Sequence, residues 1–164
     1  MILAIDVHYR QSTALAAGVL FEHWSDSEPN QEYTCEIQNV APYASGNFYK
    51  RELPCILALL NKHNLLVDCI VIDGYVYLGD ESQPGLGKYL FDALGGLVTV
   101  VGVAKSPFPG ISNNQKVFRG KSEKPLFVTT TGDLAGAKNN IKHMHGKFRL
   151  PTLLKRADYL CRGK

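Results

Sequence analysis

The chain has 164 residues and is 45% hydrophobic and 20% charged, with a formal net charge of +3, which excludes an acidic disordered tail and a collagen-like repeat. A chain of this length has room for one core that hides roughly two-thirds of its unfolded surface, so residues 1–164 are predicted to form a single domain. The longest apolar runs fall short of the roughly 18–20 residues of a membrane helix, and MILAIDVHYR lacks the basic lead-in and cleavage site of a signal peptide.

Ile2–Asp6 and Thr13–Phe21 are apolar, extended segments, and Gln31–Val40 roughly alternates polar and apolar residues, as a half-buried strand does. Short breaks separate the three, so they are predicted to form an antiparallel meander. Pro42, Ser45 and Gly46 punctuate a loop. Helical spacing of Leu53, Ile56, Leu57, Leu59 and Leu60 follows over Arg51–Leu60, with Pro54 in the tolerated first turn. Leu66–Ile72 and Leu97–Val103 are nearly continuous β-branched runs, the mark of strands covered on both faces. Lys88–Leu94 between them is predicted helical, Leu126–Thr130 is a last short strand, and Asp133–His145 and Pro151–Leu160 close the chain as helices. This order predicts an α/β domain: a mixed sheet, its meander continuing into parallel strands, flanked by helices.

Cys35, Cys55, Cys69 and Cys161 form no CxxC pair and are predicted to be buried free thiols, which suits a reducing cytoplasm. Charge is unevenly spread. Residues 1–104 carry 5 Lys/Arg against 12 Asp/Glu, whereas residues 105–164 carry 13 against 3. Lys105, Lys116, Arg119, Lys121 and Lys124 surround one loop, and the rest follow on the closing helices. A basic half suits a polyanion held by phosphate contacts; a solvated Lys-rich helix face is the plainer explanation.

Three acids stand at the ends or interior of elements. Asp6 lies within ILAIDV, where pleat alternation gives it one sheet face and its neighbours the other. An unpaired acid there costs several kcal/mol, so cations or donors must lie nearby. Asp73 ends the central strand, at the edge where parallel sheets gather ligands, or serves only the turn with Gly74. Glu52 opens the first helix. Asp133, at the start of a later helix, is a fourth ligand or simply a cap. Gathered carboxylates suit Mg²⁺ or Mn²⁺, which support phosphodiester hydrolysis by activating water and stabilising the leaving oxygen.

Six segments then occur in order: AIDVHY at 4–9, KRELP at 50–54, VIDG at 71–74, GVAKSPFPG at 102–110, KPLFVTTTGD at 124–133 and KFRLPTLLKRADYL at 147–160. Together they resemble the endonuclease V family, whose members are RNase H-like metal nucleases acting on inosine-containing nucleic acid. The resemblance implies that Asp6, Glu52 and Asp73 are acidic metal-binding positions and that Lys105 stabilises charge on the scissile phosphate. Arg51 matches the arginine of the family's RE pair. Pro42 and Tyr43 match the start of a loop whose aromatic wedges beside the damaged base, and Gly46 and Gly74 match glycines lining the base pocket. The family's histidine after the TxG stretch is replaced by Asp133, and Gly79 and Asp80 stand where a further histidine is usual. The wedge loop reads Pro-Tyr-Ala-Ser, and Gln83-Pro84-Gly85 replaces an Arg-rich stretch.

The function this implies is Mg²⁺- or Mn²⁺-dependent endonuclease cleavage near inosine or another altered base in DNA or RNA. Asp6, Glu52, Asp73 and Lys105 would carry the chemistry. Asp133 would complete the metal site, and Tyr43, Gly46, Arg51, Gly74, Lys116, Arg119 and Lys121 would hold the nucleic acid. The departures leave two alternatives: a nucleic-acid-binding module that has lost cleavage, and a metal-dependent hydrolase of another phosphoester.

Overall fold

The computed structural model describes residues 1–45, 47–79 and 83–164. Its frame is a seven-stranded sheet. The meander comprises β1 (Ile2–Arg10), β2 (Thr13–Phe21) and β3 (Gln31–Ile37), each antiparallel to its neighbour. Helix α1 (Phe48–Lys62) leads into β4 (Cys69–Asp73), which lies parallel to β1 with Ile5 beside Ile72. A two-stranded ribbon of β5 (Tyr77–Leu78) and β6 (Gln83–Pro84) precedes α2 (Leu86–Ala93). Strand β7 (Thr99–Ala104) then continues the parallel set, with Asp73 beside Val103. Strand β9 (Leu126–Thr130) pairs antiparallel with β7 on one side and with the edge strand β8 (Lys116–Val117) on the other, and α3 (Leu134–His143) and α4 (Thr152–Cys161) end the chain.

The meander therefore continues into parallel strands, as the sequence predicts. Differences are confined to ends and short elements. The predicted strands from Leu66 and Leu97 begin later, at Cys69 and Thr99, because Leu66 and Leu97 lie outside the sheet and are 95% and 87% exposed. The strand over Gln31–Val40 stops at Ile37.

Pleat alternation divides the apolar side chains between two cores. Leu3, Ile5, Ile70 and Ile72 face Cys55, Ile56 and Leu59 of α1 and Leu90 of α2. Ile2, Ala4, Val71, Val101 and Val103 face Ile141 of α3 and Leu153 and Ala157 of α4. With helices on both faces, the sheet is open along the carboxyl ends of β4 and β7, the edge where side chains of neighbouring parallel strands converge. The four cysteines are free, and all but the half-buried Cys69 are buried.

At Gly102, close approach of the chain that follows β4 leaves no room for a side chain. A Cβ there would lie 2.5 Å from the Gly74 carbonyl oxygen and 2.8 Å from Thr129 Oγ1. The chain after β4 crosses at this point, fixed by Val76 N–H donating to Thr129 Oγ1 at 2.8 Å. Gly74 itself adopts φ +134°, which L side chains resist. This crossing directs the chain away immediately after Asp73.

Candidate active site

Asp6 and Asp73 both project toward the α4 side of the sheet at its open edge. They line one pocket with Lys105, Val71, Val103, Leu150, Leu154 and Ala157. Asp6 Oδ1 accepts a hydrogen bond from Val7 N–H at 2.8 Å. Burial, and next the charge of Asp73, push the Asp6 carboxyl up from 3.8 to about 7, against the pull of Val7 N–H and Lys105. Lys105 follows β7 directly, and its Nζ lies 3.4 Å from Asp73 Oδ2.

Glu52 arrives from the opposite helical layer. It is 4% exposed, and its Oε2 has no hydrogen-bond partner. Burial, together with the charges of Asp6 and Asp73, raises its carboxyl well above the usual range. Arg51, beside it, stacks its guanidinium 3.6 Å from the centroid of Tyr9 and leaves Nε buried without a partner. The sequence thus folds two layers onto one edge: a strand residue from each of two parallel neighbours, and a helix residue from beneath.

A further acid comes from the other layer. Asp158, on α4, lies with Asp6 and Cys161 such that one ligand atom of each falls within 4.8 Å of the others. Asp158 Oδ1 also accepts from Arg162 Nε at 2.9 Å. Burial, then the charges of Asp6 and Asp158, push the Cys161 thiol up to about 12. Sequence reasoning passed over Asp158 although it lies in the KFRLPTLLKRADYL segment. The available signal was its place between Ala157 and Cys161, two residues on the buried stripe of α4.

Asp133 does not join this cluster. Strand β9 runs antiparallel to β7, so the chain leaves it at the opposite edge of the sheet. There Asp133 lines a hollow with Asp68, Cys69 and Thr99, at the starts of the parallel strands. Asp73 lies four residues along β4 from Cys69, roughly 13 Å at the usual rise. Asp133 instead caps α3, its Oδ2 accepting from Gly136 N–H at 3.0 Å.

Arg119 is also displaced from its expected role. Rather than facing a nucleic acid it is 4% exposed, and its guanidinium donates to the carbonyls of Lys142, Met144, Gly146, Phe148 and Arg149. All five N–H groups are engaged, which leaves no donor for a phosphate. Lys121 is exposed and Lys116 half-buried. Gly46 lies outside the described residues.

Beside the acidic pocket, beginning at Asp73 and Gly74, runs an aromatic cleft of about 550 Å³ lined by Phe48, Tyr49, Tyr75, Tyr89 and Phe108. Tyr49 and Tyr89 stack at 3.8 Å, and Tyr75 donates its hydroxyl proton to Ser106 O at 2.7 Å. Tyr43 stands near the cleft mouth, 62% exposed and edge-on to Phe48.

Residues 1–137 match the profile of endonuclease V. The chain belongs to the endonuclease V family. It is 32% identical over 144 residues to endonuclease V from Streptomyces coelicolor, covering 74% of this chain and 60% of that protein's length. It is 30% identical to endonuclease V from Streptomyces avermitilis, covering 98% of this chain and 79% of the relative. The crystal structure of a Streptomyces avermitilis endonuclease V superposes with a TM-score of 0.78 at 28% identity, covering 99% of this chain and 79% of the other. Endonuclease V from Ciona intestinalis, solved with a 24mer DNA containing an inosine followed by a ribo-adenosine, superposes at 0.80 with 20% identity, over 99% and 84%. The fold is RNase H-like, and no helix among the described residues is long and apolar enough to cross a membrane.

Proposed function

We propose that this endonuclease V family member is a Mg²⁺- or Mn²⁺-dependent endonuclease that hydrolyses a phosphodiester bond near inosine or another altered base in DNA or RNA. One observation carries the reading: several carboxylates crowd a single sheet edge with Lys105 beside them and a base-sized aromatic cleft opening from the same aspartate.

The donor set fits a hard divalent cation. Burial and then neighbouring carboxylates raise the pKa of Asp6 and of Glu52, and the buried Oε2 of Glu52 lacks any donor; a cation supplies the missing compensation. Asp6 and Asp73 would hold the ion directly, with Glu52 and Asp158 completing its surroundings directly or through water. Cys161, a soft sulfur donor, would be a minor ligand toward a hard ion. A divalent cation bound there supplies Lewis acidity and charge neutralisation at the phosphate.

This chain's own residues do the rest. Lys105 Nζ, beside Asp73, presents its remaining N–H groups to a non-bridging phosphate oxygen and balances charge as water adds to phosphorus and the leaving oxygen departs. The aromatic cleft would take the base extruded beside the cut, where stacking on Tyr75 or Phe108 offsets its lost neighbours. Gly74 leaves the cleft floor free of a side chain, and even a Cβ at this position would meet nothing within 4 Å. Tyr43 would fill the gap left in the duplex. Arg51, spent on Tyr9, would hold the start of α1 and with it Glu52. Lys121 and Lys116 would meet the phosphate backbone.

The test uses matched oligonucleotides, with and without inosine, as DNA and as RNA, in Mg²⁺ and in Mn²⁺. The expected result is metal-dependent cutting confined to the inosine-bearing strands and abolished by Asp6→Asn. Cutting that survives Asp6→Asn would remove the assigned site, and binding without cutting in either metal would leave only a nucleic-acid-binding module.

A further inference from the structure

Phe148 and Tyr159 are exposed by 61% and 41%. Each ring is held beside an ammonium group. Lys155 Nζ lies 5.6 Å from the centroid of Phe148 and 5.4 Å from that of Tyr159, and Lys147 Nζ lies 5.5 Å from Phe148. Lys155 and Tyr159 are four residues apart on α4 and therefore share a face.

The charge around them has one sign. Residues 138–164 carry eight Lys/Arg and a single acid, Asp158. The arginines are engaged: Arg149 with the carbonyls of Lys105 and Pro125, Arg156 with Glu32, and Arg162 with Asp158. The lysines at the two rings have no carboxylate within ion-pair distance among the described residues. Ammonium groups without a carboxylate partner meet phosphates, and exposed aromatic rings meet bases; together they are the chemistry of sites for unpaired nucleic acid. Helix α4 and the chain before it also run directly into the acidic pocket. Leu150, two residues beyond Phe148, lines that pocket, as do Leu154 and Ala157, and Arg149 bonds the carbonyl of Lys105.

We propose that Phe148, Lys155 and Tyr159 form a stacking platform for unpaired bases of the nucleic-acid strand that passes through the acidic pocket. The platform rests on the nuclease reading for its substrate, and its test separates the two. Binding is followed by fluorescence anisotropy in EDTA, with a labelled oligothymidine of about 20 nucleotides and a blunt duplex of the same length. Loss of a stacking ring weakens single-strand binding by about tenfold. Phe148→Ala and Tyr159→Ala are each expected to show that loss for oligothymidine and at most twofold for the duplex, while Tyr159→Phe keeps wild-type affinity. Lys155→Gln is expected to flatten the salt dependence by about one phosphate contact.

A Phe148→Ala/Tyr159→Ala variant that binds oligothymidine within twofold of wild type, with an unchanged melting temperature, overturns the platform. So does a wild type that binds the duplex but no single strand, or competition by polyglutamate as effective as by oligothymidine. If wild type cuts inosine substrates and the double variant binds as wild type does, the platform fails and the nuclease reading stands. If the double variant loses single-strand binding and wild type cuts nothing, the reverse holds.

Discussion

Replacing Asp6 by Asn is expected to stabilise the metal-free protein while abolishing its activity. Asn keeps the size of the side chain and the oxygen that accepts from Val7 N–H, but removes a charge placed beside Asp73 in a buried setting. The rise of the carboxyl from 3.8 to about 7 on folding corresponds to about 4 kcal/mol against the charged form. A raised carboxyl pKa favours the protonated folded state. The stability associated with Asp6 is thus intact below about pH 4 and is lost as the pH climbs through 7. Urea unfolding in EDTA should show Asp6→Asn more stable than wild type by up to about 4 kcal/mol at pH 8, shrinking toward zero near pH 4. In melting temperature that is about 2–4 °C per kcal/mol for a chain of this size. Added Mg²⁺ or Mn²⁺ should narrow that advantage, since only wild type gains from binding, by about 2.7 kcal/mol at a hundred times Kd. A variant no more stable than wild type at pH 8, or one whose advantage is the same at pH 4, would refute the crowding argument.

Arg119→Met strands five carbonyl groups around one vacated guanidinium site and should lower stability by about 3–5 kcal/mol, read from the urea midpoint. Asp133→Ala removes only a helix cap, so a loss of about 1 kcal/mol with cleavage rates unchanged is expected. Asp158→Asn should instead weaken divalent-metal affinity measured by titration calorimetry, while Asp133→Ala leaves that affinity as it was. Gly102→Ala puts a methyl 2.5 Å from the Gly74 carbonyl. It should destabilise by about 1–3 kcal/mol and lower activity in the fraction that stays folded, because the chain leaving Asp73 must move.

The sheet was legible because apolar runs and alternation are local properties of strands, and the position of Asp6 within ILAIDV fixes its face. Two things were not local. The direction in which β9 runs places Asp133 at the far edge, and direction leaves no mark on the composition of a five-residue strand. Asp158 looks like an ordinary polar residue of an amphipathic helix, and only the packing of Leu153 and Ala157 against the sheet brings it to Asp6. Arg119 reads as one more cation in a basic loop; its burial depends on carbonyl groups from residues 142–149, supplied by a segment that follows it at some distance in the chain. Leu66 and Leu97 extend hydrophobic runs past the ends of their strands, which is why apolar continuity overestimated those strands.

Glu52 and Asp158 are carried by helices on opposite sides of one sheet, with Asp6 and Asp73 in between. The gap among these oxygens is therefore a gauge of how thickly each helical layer is padded. Trimming Leu59 beneath α1 or Leu153 beneath α4, each buried in its own core, should shift one jaw of the gauge and not the other. Ions of different radius would then be preferred according to which core had been thinned.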